Sequence, residues 1–222
     1  YRWTITKNGC FEFADVVVTN RAVVANSGLD IDNICGIEPA ISSVTLNATP
    51  PNLALGQTGT WSVVNSSGTI INPSLFYTQV SGMDNGTNTF RWTLSNGYCT
   101  SFDDVSVIVY IPSTANAGAD YETCASMTDS RPLTGNNPAP GRGIGTWNLI
   151  SGGGTITNPN SAVTSVTNLA PDLNVFRWRI NHNGCISEDF VTITNNYVTA
   201  NAGPDDLICV DTYTLEANDP LT

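Results

Sequence analysis

The chain predicts an all-β fold: tandem immunoglobulin-like β-sandwich repeats. Three observations lead there. A strand–turn–cysteine stretch occurs three times: Tyr1-Arg2-Trp3-Thr4-Ile5-Thr6-Lys7-Asn8-Gly9-Cys10, Phe90 to Cys99, and Phe176 to Cys185. Landmarks around it recur in step, with a period of about 85–90 residues. Short alternating segments are separated by turn residues every 8–12 positions, and no amphipathic helix is found. Many short strands with regular turn signals are what a β-sandwich requires.

In the second copy Phe90, Trp92 and Leu94 share one face, and Arg91, Thr93 and Ser95 share the other. That is the period of two of a half-buried strand. Asn-Gly then supplies the positive φ angles of a tight hairpin. The returning strand is expected at Asp104–Val109, with counterparts at Asp15–Val18 and Asp189–Ile193. Gly59-Thr60-Trp61 returns 86 residues later as Gly145-Thr146-Trp147, and Thr69 to Pro73 returns as Thr155 to Pro159. Junctions repeat in step: Asn26-Ser27-Gly28-Leu29-Asp30, Asn116-Ala117-Gly118-Ala119-Asp120 and Asn201-Ala202-Gly203-Pro204-Asp205. A period of this length suits a small domain with its own core rather than a solenoid unit. The expected organisation is the end of one repeat (1–25), two complete repeats (26–115 and 116–200) and the first part of another (201–222), a window on a longer array.

Further strands are expected at Val44–Ala48, Arg131–Gly135 and Tyr213–Ala217. Trp61 with Val63, and Trp147 with Leu149, are expected to face the core, where Trp61 meets Trp92 and Trp147 meets Trp178. Core packing explains these four tryptophans better than sugar binding, because they lie on alternating strand faces. Ile70 and Ile156 begin short strands ended by Asn-Pro. Arg2 with Asp15, Arg91 with Asp103 or Asp104, and Arg177 with Asp189 are expected as cross-strand pairs.

Charge is sparse at 12%, the net charge is −11, and Lys7 is the only lysine. Such a chain does not seek phosphate backbones or anionic membranes, so nucleic acid is not an expected partner. No apolar run is long enough to cross a bilayer, so no membrane insertion of this segment is expected.

The six cysteines fall two per repeat, and none forms a Cys-x-x-Cys pair. With one histidine, His182, a zinc site is not expected. In an immunoglobulin-like sandwich the first and last strands run parallel and adjacent. Cysteines at the same end of both would meet, which favours disulfides Cys35–Cys99 and Cys124–Cys185 over the serial pairs Cys10–Cys35, Cys99–Cys124 and Cys185–Cys209. Each favoured bond closes a loop of about 60 residues, worth about 4 kcal/mol in the chain-entropy model. Disulfides imply an oxidising compartment.

Asp30, Asp32, Asp120 and Asp205 recur at the junctions, a pattern that admits Ca²⁺, although the glycine and terminal glutamate of an EF-hand loop are missing. Turn capping is the preferred reading, and no other cofactor is expected. No Ser/His/Asp set recurs: His182 is replaced by Ser95 and Lys7 in the sister copies. No enzyme is expected.

The combination GTW…SG…TITNP…FRW…NGC…DDV, punctuated by NAGAD or NAGPD and a cysteine, resembles the SprB-like repeats of very large gliding-motility adhesins of Bacteroidetes. The likeness spans the whole chain. Ser27, Ile71 and the extra Tyr98 are departures in the first complete repeat. The resemblance implies type IX secretion, an outer-membrane-attached location on the cell surface, and a stalk role in gliding and attachment. Its implied partners are neighbouring repeats, the gliding and secretion machinery and surface polysaccharide. Two other readings stand beside it: a glycan-binding array, and accessory repeats of a secreted hydrolase.

Overall fold

The computed structural model describes residues 1–36, 43–209 and 211–218. The last four residues of the 201–222 segment, and residues 37–42 of the first complete repeat, lie outside the described residues. Among the described residues there are sixteen strands: β1 (Arg2–Lys7), β2 (Cys10–Asp15), β3 (Ile31–Cys35), β4 (Val44–Asn47), β5 (Thr58–Asn65), β6 (Thr69–Ile70), β7 (Tyr77–Ser81), β8 (Gly86–Ser95), β9 (Thr100–Tyr110), β10 (Tyr121–Thr123), β11 (Arg131–Thr134), β12 (Ile144–Ser151), β13 (Thr155–Ile156), β14 (Val163–Thr167), β15 (Asp172–His182) and β16 (Cys185–Asn195). One 3₁₀ turn covers Leu53–Leu55. The chain divides into two compact units, Tyr1–Tyr110 and Ile111–Thr222.

Each unit holds one complete sandwich. In the first, a four-stranded sheet ordered β3-β9-β8-β5 accompanies a three-stranded sheet ordered β4-β7-β6. In the second, β10-β16-β15-β12 accompanies β11-β14-β13. The first and last strands of each repeat are parallel, β3 with β9 and β10 with β16, and every other pairing is antiparallel. This is an immunoglobulin-like β-sandwich in tandem.

The recurring motifs are accounted for by the core. Trp61 is registered opposite Trp92, and Trp147 opposite Trp178. Their ring centroids are 5.2 and 5.1 Å apart at tilts of 47° and 42°, within the range of favourable aromatic pairs. All four are buried, with Phe90 and Phe176 beside them. The glycine two residues before the first tryptophan makes room for the second. A Cβ on Gly59 or Gly145 would lie 2.1 Å from the Trp92 or Trp178 ring. The Asn-Pro stop closes an exposed strand edge: Trp61 N donates to Pro73 O at 2.7 Å and Trp147 N to Pro159 O at 2.8 Å. Edge N–H groups left open invite pairing with other chains.

Hairpin geometry separates the copies. Asn8 and Gly9 (φ 50° and 85°), and Asn183 and Gly184 (φ 50° and 88°), close two-residue turns. In the middle copy Tyr98 lengthens the loop, and Asn96 Oδ1 accepts from Tyr98 N and Cys99 N.

Several expectations require correction. Val63 and Leu149 are exposed, because a bulge follows each in the register of β5 and β12 and turns the strand end away from the core. Tyr213–Ala217 lies in no strand among the described residues. β2 ends at Asp15, so Val16–Val18 lie outside it. Arg177 pairs with Glu188 at 3.2 Å rather than Asp189, since the residue directly opposite it is Phe190.

The expected disulfides are also corrected. Cys99 and Cys124 are free thiols, as are Cys10 and Cys209, whereas Cys35 and Cys185 are the bonded cysteines. Cys35 is registered opposite Tyr110 at the end of β9, while Cys99 precedes its start. Eleven residues of strand separate them, more than 30 Å at ~3.3 Å per residue, against a Cα limit of about 7 Å. Parallel strands are present as expected, but the two cysteines sit at opposite ends of them.

Candidate functional site

The junction segments are the most elaborately hydrogen-bonded recurring feature. Asn26 Oδ1 accepts from Gly28 N, Asn116 Oδ1 from Gly118 N and Asn201 Oδ1 from Gly203 N, at 2.8–2.9 Å. This Asx turn places the glycine at φ near +90° and against the backbone. A Cβ on Gly28 would meet Asn47 O at 2.7 Å, and one on Gly203 would meet Glu216 O at 2.7 Å. Only glycine combines that φ with that approach.

In the two complete repeats the junction runs beside the last strand. Ala25 N donates to Ser101 Oγ, and Ser27 N and Oγ donate to Asp103 Oδ2 at 2.9 and 2.8 Å. In the second repeat Ala115 N donates to Ser187 Oγ at 2.9 Å and Ala117 N to Asp189 Oδ2 at 2.7 Å. Asp30 Oδ1 accepts from Ser106 N at 2.8 Å, and Asp120 Oδ1 from Thr192 N at 2.7 Å. These aspartates therefore cap free N–H groups on β9 and β16. Asp32 accepts from Asn33 N, and Asp205 lies in the exposed head of the last segment. Among the described residues, no group of three or more His, Cys, Asp or Glu side chains is placed to hold a metal. A groove of about 240 Å³ lined by Asp120, Glu122, Thr192 and Thr194 has its acids engaged, because Glu122 Oε2 accepts from Asn196 Nδ2.

Electrostatics are local. Arg91 grips Asp104 with two bonds of 2.7 and 2.8 Å, and its guanidinium lies 3.7 Å from the Phe102 ring centroid. Arg2, Asp15 and Phe13 repeat this arrangement. The Arg91 bond holds Asp104 below the usual carboxylate range, and the Ser27 N–H and hydroxyl do the same for Asp103. Ser67 does so for Asp84. Although Phe102 is exposed, one ring face is covered by Arg91.

The buried asparagines went unread in the sequence. Asn88 Nδ2 donates to Asp84 O and Gly86 O, and Asn174 Nδ2 to Ala170 O and Asp172 O. Both are fully buried. Their shared place two residues before Phe-Arg-Trp was the available signal.

No family model matches the chain, and no curated protein matches it. Solved structures with the same kind of fold include extracellular domains 3–5 of Drosophila OTK (8% identity, TM-score 0.47, 75% of this chain and 59% of that one). Immunoglobulin domains 1–4 of Sidekick-1 (12%, 0.45, 85% and 55%) and titin I-band fragment I67–I69 (9%, 0.41, 77% and 64%) are others. The chain spans less than two thirds of each of these three. At such identities and scores the likenesses carry no argument about activity.

Proposed function

We propose that these repeats form part of the extended stalk of a very large cell-surface adhesin, exported by the type IX route and serving gliding motility and surface attachment. The observation that carries this reading is the path of the chain through each repeat. Residues 25–35 run alongside β9 from Ser101 to Tyr110, so the chain arrives at one end of the last strand and leaves at the other. Such a repeat adds length with each copy. The resemblance to SprB-like repeats supports this class of stalk, and the bonded cysteines Cys35 and Cys185 support an oxidising, extracellular setting.

Small-angle scattering of the oxidised 222-residue chain, with and without Ca²⁺, tests the extended form. A radius of gyration near ~17 Å, the value for one compact body of this length, refutes it. Antibodies raised against the chain should label moving structures on intact cells of the source bacterium. Labelling only after permeabilisation refutes the surface role.

A further inference from the structure

The outward faces of the last two strands differ between the complete repeats. In the first, Arg91 on β8 is registered opposite Asp104 on β9, and Thr93 opposite Phe102. One cation meets one acid there, and the guanidinium covers the ring. In the second, Arg177 on β15 is opposite Phe190 on β16, and Arg179 is opposite Glu188. Phe176, Trp178 and Ile180 alternate with the arginines and are buried, so Arg177 and Arg179 lie side by side on the outer face. β12 adds Asn148 opposite Arg177 and Thr146 opposite Arg179.

This patch holds two cations and one acid. Glu188 Oε1 lies 3.2 Å from Arg177 Nη1 and 3.3 Å from Arg179 Nε. The other acids of these three strands, Asp172 and Asp189, fall on the opposite parity, and Asp189 is bound to Ala117 N. One carboxylate neutralises one guanidinium, so the patch keeps an unmatched positive charge on a chain whose net charge is −11. Its hydrogen bonding is short as well. Arg177 Nε and Arg179 Nε are buried without a hydrogen-bond partner among the described residues, a costly state for a donor. Phe190 is 48% exposed, and no guanidinium stacks on its ring among the described residues. Arg177 Nη2 donates to Asn148 Oδ1 at 3.2 Å. Asn148 Nδ2 and the Thr146 hydroxyl have no protein partner among the described residues.

We propose that this face of the second repeat binds an acidic polysaccharide through a uronate carboxylate or a sulfate ester. The anion sits between Arg177 and Arg179, whose planar forks suit either group. The adjoining sugar ring packs its C–H face on the Phe190 ring, whose π face is negative, and Asn148 Nδ2 and the Thr146 hydroxyl donate to its oxygens. An acidic protein fits less well, because protein partners are held by anchors seated in pockets and this surface is a sheet face with one open ring. The acidity of the chain does not forbid the contact, since exposed charges beyond about 8 Å are largely screened at physiological ionic strength. The proposal stands on register and charge within the second repeat and does not depend on the adhesin reading.

The test titrates the 222-residue chain, at physiological ionic strength, against immobilised polygalacturonate, dextran sulfate, neutral dextran and poly-glutamate. Arg179→Thr and Phe190→Asp install the residues that the first repeat has at these places, Thr93 and Asp104, so both variants should keep the fold, which circular dichroism checks. Arg91→Ala, in the closed pair of the first repeat, is the control. The chain should bind polygalacturonate, dextran sulfate or both, and the polymer bound names the anionic group. Neutral dextran should not bind. Arg179→Thr should weaken binding about 10-fold through loss of a charged contact, Phe190→Asp should weaken it at least as much, and Arg91→Ala should leave it unchanged. Failure to bind either acidic polysaccharide overturns the proposal, as does full binding by Arg179→Thr and Phe190→Asp. Poly-glutamate bound as tightly as the acidic polysaccharides assigns the patch to acidic proteins and overturns it equally.

Discussion

Replacing Asn136 by alanine removes three side-chain hydrogen bonds at once. Its Oδ1 accepts from Asn116 N at 2.8 Å and from Trp178 Nε1 at 3.2 Å, and its Nδ2 donates to Thr114 O at 2.9 Å. Trp178 Nε1 keeps the Asn136 carbonyl at 3.1 Å, so the indole is not orphaned. At about 0.5–1.5 kcal/mol per bond, and with two of the three exposed, the loss is about 2 kcal/mol. At 1.36 kcal/mol per decade this is a ~30-fold loss of protection against amide exchange if the repeat opens as one unit. Peptide-resolved hydrogen–deuterium exchange reads it on β15 and β16, with β8 and β9 as internal control. A change under about 3-fold on β15 and β16 refutes the reasoning. The first repeat supplies the reverse test. Thr49 occupies the corresponding place, since Thr49 N donates to Asn26 O, and Trp92 Nε1 is buried without a partner among the described residues. Thr49→Asn should therefore stabilise that repeat by about 1 kcal/mol.

Three further outcomes are expected. Gly145→Ala should destabilise the second repeat by about 3 kcal/mol in urea denaturation, because its methyl would fall 2.1 Å from a buried indole that has no room to move. Arg91→Ala should leave the urea midpoint of the first repeat nearly unchanged, since both members of its ion pair are about a third exposed and exposed pairs contribute little to stability. Acid should weaken the first repeat: with Asp103, Asp104 and Asp84 held below the ordinary carboxylate range, the folded state binds fewer protons than the unfolded chain there. Their contribution is complete above about pH 4 and is lost as pH falls through the lowered values; thermal unfolding at pH 6, 4 and 3 should show the drop, and Asp103→Asn should reduce it.

Periodicity made the fold legible because its signals are local. Alternation at Phe90, Trp92 and Leu94, the Asn-Gly turns and the repeated Gly-Thr-Trp each report on neighbours within one strand or hairpin. The parallel first and last strands also followed from fold class. The cysteine pairing did not, because it depends on which end of β9 receives Cys35, and that is set by the offset of Ile31 against Val107. Alternation likewise fails at a bulge, so Val63 and Leu149 were assigned to the wrong environment. The junction aspartates have the composition of a cation loop. Their role became visible only when Ser106 N and Thr192 N were seen to need an acceptor.

The parallel run of residues 25–35 beside β9 has a mechanical consequence. Tension between the two ends of that repeat draws the two segments past each other along their length. The bonds to Ser101, Asp103 and Ser106, and the β3–β9 ladder, lie across the pull and are loaded in shear together. None of them is positioned to peel first. Forced unfolding is governed by the unfolding rate, so such a repeat should hold its length under load and then yield in one abrupt step.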